Sequence, residues 1–110
     1  MNLPLPVQAR RPLTSLDCIK ITADLCALPE RAIISEARRK DICQARFLAI
    51  WLARTLLWLT LPRIAKVFGD RDHTSILHAI RRAEDLIKTD PDFAAIAEHA
   101  KHKATTEFTV

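Results

Sequence analysis

Glycine is nearly missing from this chain: Gly69 stands alone among 110 residues, and tyrosine does not occur at all. So little turn and strand material argues against a sheet protein. One glycine also excludes a nucleotide-cradling loop of the G-x-x-x-x-G-K-[ST] kind, in which glycines let backbone N–H groups surround the phosphates. The cysteines, Cys18, Cys26 and Cys43, are odd in number and form no C-x2-C pair. They read as small buried hydrophobes in a reducing compartment, not as a zinc site or a disulfide framework. No apolar run reaches membrane-spanning length, since the most apolar stretch, Phe47 to Leu61, is interrupted by Arg54. The start, with Pro4, Pro6 and Pro12, lacks a signal-peptide core. The chain reads as cytoplasmic. No nucleophile–base pair or carboxylate constellation marks an enzyme, and no cofactor is implied. His99 and His102 have a spacing that suits a metal, but no third ligand is in view, and they read as exposed.

What is present favours helices. The chain is 49% hydrophobic, with runs rich in Ala, Leu, Ile and Arg. The expected fold class is all-α, a helical bundle. We expect a flexible arm over 1–13, one domain over 14–102 and a frayed tail over 103–110. The first helix starts at Thr14 or Ser15, with Ser15 as cap and Asp17 in the first turn. A short helix follows over Pro29–Ser35, then a charged connector, Glu36 to Asp41. A third helix runs from about Ile42 to Leu59, apolar on almost every side and therefore covered on most of them. Thr60 caps a short fourth helix with Pro62 in its first turn, and Gly69 ends it. A fifth helix opens at Asp72 and runs to about Lys88. Phe93, Ile96, Ala97 and Ala100 make a short sixth.

Charge is unevenly spread. Between Ser35 and Arg82 ten Lys/Arg face four Asp/Glu, a net of +6, whereas the remainder has a net of −2. A concentrated positive segment attracts a polyanion, and counterion release drives that binding. The same segment holds two helices joined by a tight Gly-containing turn, a helix-turn-helix. In that motif the amino end of the second helix meets base edges in the major groove. Here those residues are Asp72, His73, Thr74 and Ser75. A carboxylate accepts from cytosine N4, histidine donates to a purine acceptor, and a threonine methyl touches thymine. The plainer reading is that Asp72 is an N-cap and Ser75 its companion; both roles are compatible.

The run from Leu61 to Ala79, LPRIAKVFGDRDHTSILHA, resembles the C-terminal DNA-binding domain of DnaA, the bacterial replication initiator, whose signature reads L-P-x-I-x-x-x-F-G-x-R-D-H-T-T-V-L-H-A. Phe68-Gly69, Arg71 to Thr74 and Leu77 to Ala79 match as they stand; Ser75 and Ile76 are conservative departures. More weakly, the resemblance extends from about residue 14 to residue 90. It implies a Trp-repressor-like helix-turn-helix and double-stranded DNA with DnaA-box-like sites as partner, in a nucleoid-associated protein. It also implies that Asp72, His73 and Thr74 read bases in the major groove. Arg38 falls at the arginine that enters the minor groove, Arg54 at a phosphate-contacting position, and Leu61 and Pro62 where the fourth helix meets DNA. Arg71 and Ser75 become helpers at phosphate or sugar. His78, a turn further along, reads as a structural hydrogen-bonding residue.

The third helix departs from that pattern, with Phe47, Trp51 and Trp58 where the family has small or polar residues. Aromatics anchor interfaces well, so these three are a candidate protein interface, for a homodimer or a replication-regulator partner. The expected function is sequence-specific DNA binding that modulates replication initiation or transcription. The alternative is an adaptor that binds DnaA or its inactivating factor through the aromatic face. A generic helix-turn-helix repressor is the less specific third reading.

Overall fold

Six helices make up the computed structural model, which describes residues 9–110: α1 (Ser15–Cys26), α2 (Glu30–Ile34), α3 (Lys40–Leu57), α4 (Leu61–Val67), α5 (His73–Thr89) and α6 (Pro91–Glu107). Among the described residues the only β feature is an isolated bridge between Pro12 and Thr109.

The cap of α1 is Thr14, one residue before the expected Ser15. Its hydroxyl accepts from the Asp17 N–H at 3.3 Å, and the Asp17 carboxylate accepts from the Thr14 N–H at 2.9 Å. This reciprocal capping box satisfies two orphan donors, and Ser15 is buried instead. Arg11 closes on Asp17 with two hydrogen bonds, of 2.7 and 2.5 Å. Its pair holds the Asp17 carboxyl below the usual carboxylate range, and the Thr14 bonds act in the same direction.

Helix α3 is the axis of the bundle. Leu48, Ala49, Ile50, Leu52 and Ala53 are all buried, so its circumference is covered as an apolar helix requires. Ala45, Ala49 and Ile50 join Ile19, Ile33, Ile64, Phe68 and Ile76 in the largest core cluster. On another side Leu52 and Ala53 meet Cys18, Ile21, Ala100 and Ala104. Cys18 is fully enclosed, and burial pushes its thiol up to about 12. Cys26 and Cys43 are half-buried, and all three cysteines are free thiols.

Helix α3 stops short of the expected Leu59. Trp58 takes a left-handed conformation (φ 55°) and closes the helix with its N–H on the Arg54 carbonyl. The chain must turn there to begin α4, whose first turn contains Pro62.

Helix α6 runs seven residues past the expected end at Ala100, to Glu107. Phe93, Ala97, Ala100 and Ala104 are buried at helical spacing, and the three alanines let α6 lie close on the bundle. Beyond it the backbone is tied down: the Leu13 N–H donates to the Thr109 carbonyl and the Thr109 N–H to Arg11, both at 3.0 Å. The Arg11 guanidinium lies 4.8 Å over the Phe108 ring. The tail over 103–110 is therefore held, not frayed, and the arm over 1–13 is anchored at residues 11–13. Pro4 and Pro6 lie outside the described residues.

Candidate nucleic-acid interface

The helix-turn-helix is built by a few backbone decisions. Phe68, fully buried, anchors the end of α4 in the core. Gly69 (φ 86°) and Asp70 (φ 59°) then reverse the chain in the left-handed region. A Cβ on Gly69 would come within 3.1 Å of the Ile34 carbonyl oxygen. The Arg71 N–H returns to the Ala65 carbonyl at 3.1 Å, and Asp72 caps α5 by accepting from the Thr74 N–H at 2.9 Å. That bond is the main reason the Asp72 carboxyl sits below its ordinary range. With Asp72 ionised, lone pairs remain for an outside donor.

Asp72, His73, Thr74 and Ser75 are all exposed, while Ile76, Ala79, Ile80 and Ala83 bury the opposite face of α5. The amino end of α5 thus stands clear of the other described residues.

The loop over 35–39, which carries Arg38, is held beside this end by two other arginines. Arg46, only 6% exposed, donates Nε to the Ile33 carbonyl at 2.8 Å and Nη2 to those of Ser35 (2.6 Å) and Ala37 (3.1 Å). Arg71 donates Nε to the Phe68 carbonyl at 2.9 Å and Nη2 to the same Ser35 carbonyl. Burial lowers the Arg71 pKa, and the nearby Arg46 cation adds to that. Arg38 itself is exposed and makes no hydrogen bond or ion pair with the described residues. Arg38, Ser75 and His78 line one cleft of about 670 Å³, together with Glu36, Arg46 and Arg71.

The structure thus gathers Arg38, Arg71 and Ser75 around one cleft, next to the exposed Asp72, His73 and Thr74. Arg71 is half-buried and its guanidinium is engaged by carbonyls. Arg54, also half-buried, donates Nη1 to the Leu59 carbonyl and so shapes the connector leading into α4. Leu61 packs partly on the core, and Pro62 is exposed.

Phe47, Trp51 and Trp58 do not form one face. Phe47 is half-buried, packed on two core clusters and edge-on to His78 at 6.3 Å between ring centroids. Trp51 is half-buried between two clusters. Only Trp58 stands out, at 79% exposure, because α3 ends one residue before it and the helical register is lost. His78 also differs from expectation. It is exposed and its imidazole makes no hydrogen bond with the described residues.

Sequence reasoning passed over Arg46. Its signal was an arginine set among Ile42, Ala45, Leu48 and Ala49, on a face that had to be buried. Among the described residues no group of three His, Cys, Asp or Glu could hold a metal ion, and no helix is long and apolar enough to cross a membrane.

Comparison with known proteins agrees with this architecture. The family described as "Bacterial dnaA protein helix-turn-helix" matches residues 17–83, more than half of the chain. The chromosomal replication initiator protein DnaA of Caulobacter sp. (strain K31) is 40% identical over 79 residues, covering 72% of this chain and 16% of the relative. That of Sulfurimonas denitrificans is 35% identical over 102 residues, covering 91% of this chain and 23% of the relative. The crystal structure of a DNA replication initiation factor superposes with a TM-score of 0.69 at 28% identity, over 81% of this chain and 28% of that one. The chain therefore spans about a quarter or less of the initiators it matches. In sequence and in fold it belongs to the DnaA helix-turn-helix family.

Proposed function

We propose that the protein binds double-stranded DNA in a sequence-dependent way, at sites like those of the DnaA initiators, and thereby modulates replication initiation or transcription. The observation that carries this reading is the exposed amino end of α5, with His73 and Thr74, beside Arg38, which is unpaired among the described residues. In the major groove Asp72, His73 and Thr74 meet base edges. Arg38 enters the adjacent minor groove, whose narrow A·T-rich form has a strong negative potential. Pro62, Leu61 and Arg54 approach the backbone at the start of α4, and Ser75 and Arg71 support the strand at phosphate or sugar. The basic segment supplies affinity without sequence preference.

Binding to duplexes with and without a DnaA-box-like element, at two salt concentrations, tests the proposal. His73→Ala and Thr74→Ala should each cost about 1–3 kcal/mol on the specific duplex and leave salt-sensitive nonspecific binding intact. Equal losses on all sequences would remove α5 as the reader.

Trp58 supports a second reading, an adaptor for a replication regulator or a second copy of the chain. An aromatic this exposed is a usable anchor. Light scattering of the wild type and of Trp58→Ala decides it: an association state unchanged by the substitution removes the homodimer, and unchanged capture of a purified initiator removes the adaptor.

A further inference from the structure

A second groove, of about 380 Å³, lies where the start of α3 meets the end of α1 and the start of α6. Buried Leu48 and Phe93 back it, and half-buried Leu25, Leu28 and Ile96 leave apolar surface open to solvent. Three carboxylates, Asp41, Asp90 and Asp92, stand at the groove, and no cation lines it. Asp41 is paired with Arg39. Asp90 accepts from the main-chain N–H groups of Asp92 and Phe93, which bring no full charge. Asp92 makes no ion pair with the described residues. The groove therefore suits an apolar side chain that arrives with a cation.

This chain offers such a group at the other end of α3. Trp58 is 79% exposed. Arg63 and Lys66 follow it on α4, both exposed, and no Asp or Glu occurs between Asp41 and Asp70. Gln44, which lines the groove, lies fourteen residues before Trp58, about 21 Å along a helix axis. A molecule therefore cannot fill its own groove with Trp58, but it can fill that of a neighbour.

We propose that Trp58 of one copy seats in the α1–α3–α6 groove of the next, with the α4 cations facing Asp90 and Asp92. This rests on the reading of Trp58 as an anchor for a second copy and names the surface that receives it. Knob and groove are different surfaces at opposite ends of α3, so the contact is heterologous and repeats head to tail instead of closing as a two-fold pair. One aromatic in one groove is a small contact, so association is weak and rises with concentration.

Sedimentation of the free protein over a range of concentrations, at two salt concentrations, tests this. Duplex is left out because Leu61 and Pro62, which approach DNA in the reading above, lie beside Trp58. The mass of the wild type should grow with concentration past that of a dimer, and less so at high salt. Trp58→Ala, Gln44→Arg and Asp92→Arg should each weaken association at least about tenfold, the loss expected at an aromatic anchor and its pocket. Two groove variants guard against a loss of fold in either, and each should melt as the wild type does. Mixing Trp58→Ala, whose groove is intact, with Gln44→Arg, whose tryptophan is intact, should restore pairing but give nothing larger than a dimer. The proposal is overturned if both groove variants associate as the wild type does, if their losses follow a fall in melting temperature, or if the mixture stays monomeric. A Trp58→Ala monomer beside groove variants that still associate keeps Trp58 as an anchor and removes the groove. A wild type that is monomeric throughout removes the second copy and the groove contact together.

Discussion

Arg46 illustrates how a charged side chain can belong to a core. Its guanidinium satisfies the last carbonyls of α2 and the loop that follows, groups that a short helix end leaves without intrahelical partners. Arg46→Met keeps much of the volume but strands those carbonyls under the loop. It should cost about 3 kcal/mol in urea or thermal unfolding. Asp17 makes a different prediction, one of pH. Its carboxyl is held below the ordinary 3.8, first by Arg11 and then by Thr14. The stability it contributes is therefore complete above the unfolded value and is lost as pH falls through the lowered folded one. Asp72 and Asp41 are shifted in the same direction and add to the acid limb. As pH falls below the ordinary 3.8 and through the lowered folded value, the melting temperature of Asp17→Asn should approach that of the wild type, and at neutral pH it should lie clearly lower.

At the level of elements, the turn between α4 and α5 is the least tolerant segment. Gly69 combines φ 86° with a backbone oxygen only 3.1 Å from where a Cβ would stand. Gly69→Ala should destabilise by about 1–2 kcal/mol, measured as a shift in the urea midpoint. This turn was legible beforehand, because one glycine between an amphipathic helix and an Asp-capped one has few other uses. The exposed set from Asp72 to Ser75 was legible for the same reason. The end of α3 was not. Leu56, Leu57 and Leu59 continue an apolar pattern through Trp58, and periodicity alone has no means of marking a left-handed cap on a tryptophan. The end of α6 was missed for the opposite reason. Ala104 is small, preceded by Lys103 and followed by two threonines, so its buried face looks like a fading pattern, whereas small residues are what close helix packing needs.

In the whole molecule, the loop bearing Arg38 and the amino end of α5 lie nearly forty residues apart in the chain but share one cleft, and the contact that joins them is made by main-chain carbonyls. Carbonyl acceptors leave no trace in a sequence, which is why the support that Arg71 and Arg46 give the loop went unread. The exposed residues that the fold brings beside one another were largely visible in the sequence; the bonds that hold them there were not. The left-handed cap at Trp58 has one more consequence, an optical one. With no tyrosine in the chain, ultraviolet emission comes from two indoles in contrasting surroundings, Trp58 in solvent and Trp51 between core clusters. Iodide should quench one population readily and spare the other, giving a curved Stern–Volmer plot that straightens in Trp58→Phe. Because the accessible indole sits three residues before α4, its shielding on adding a duplex would map how far the footprint reaches without any attached dye.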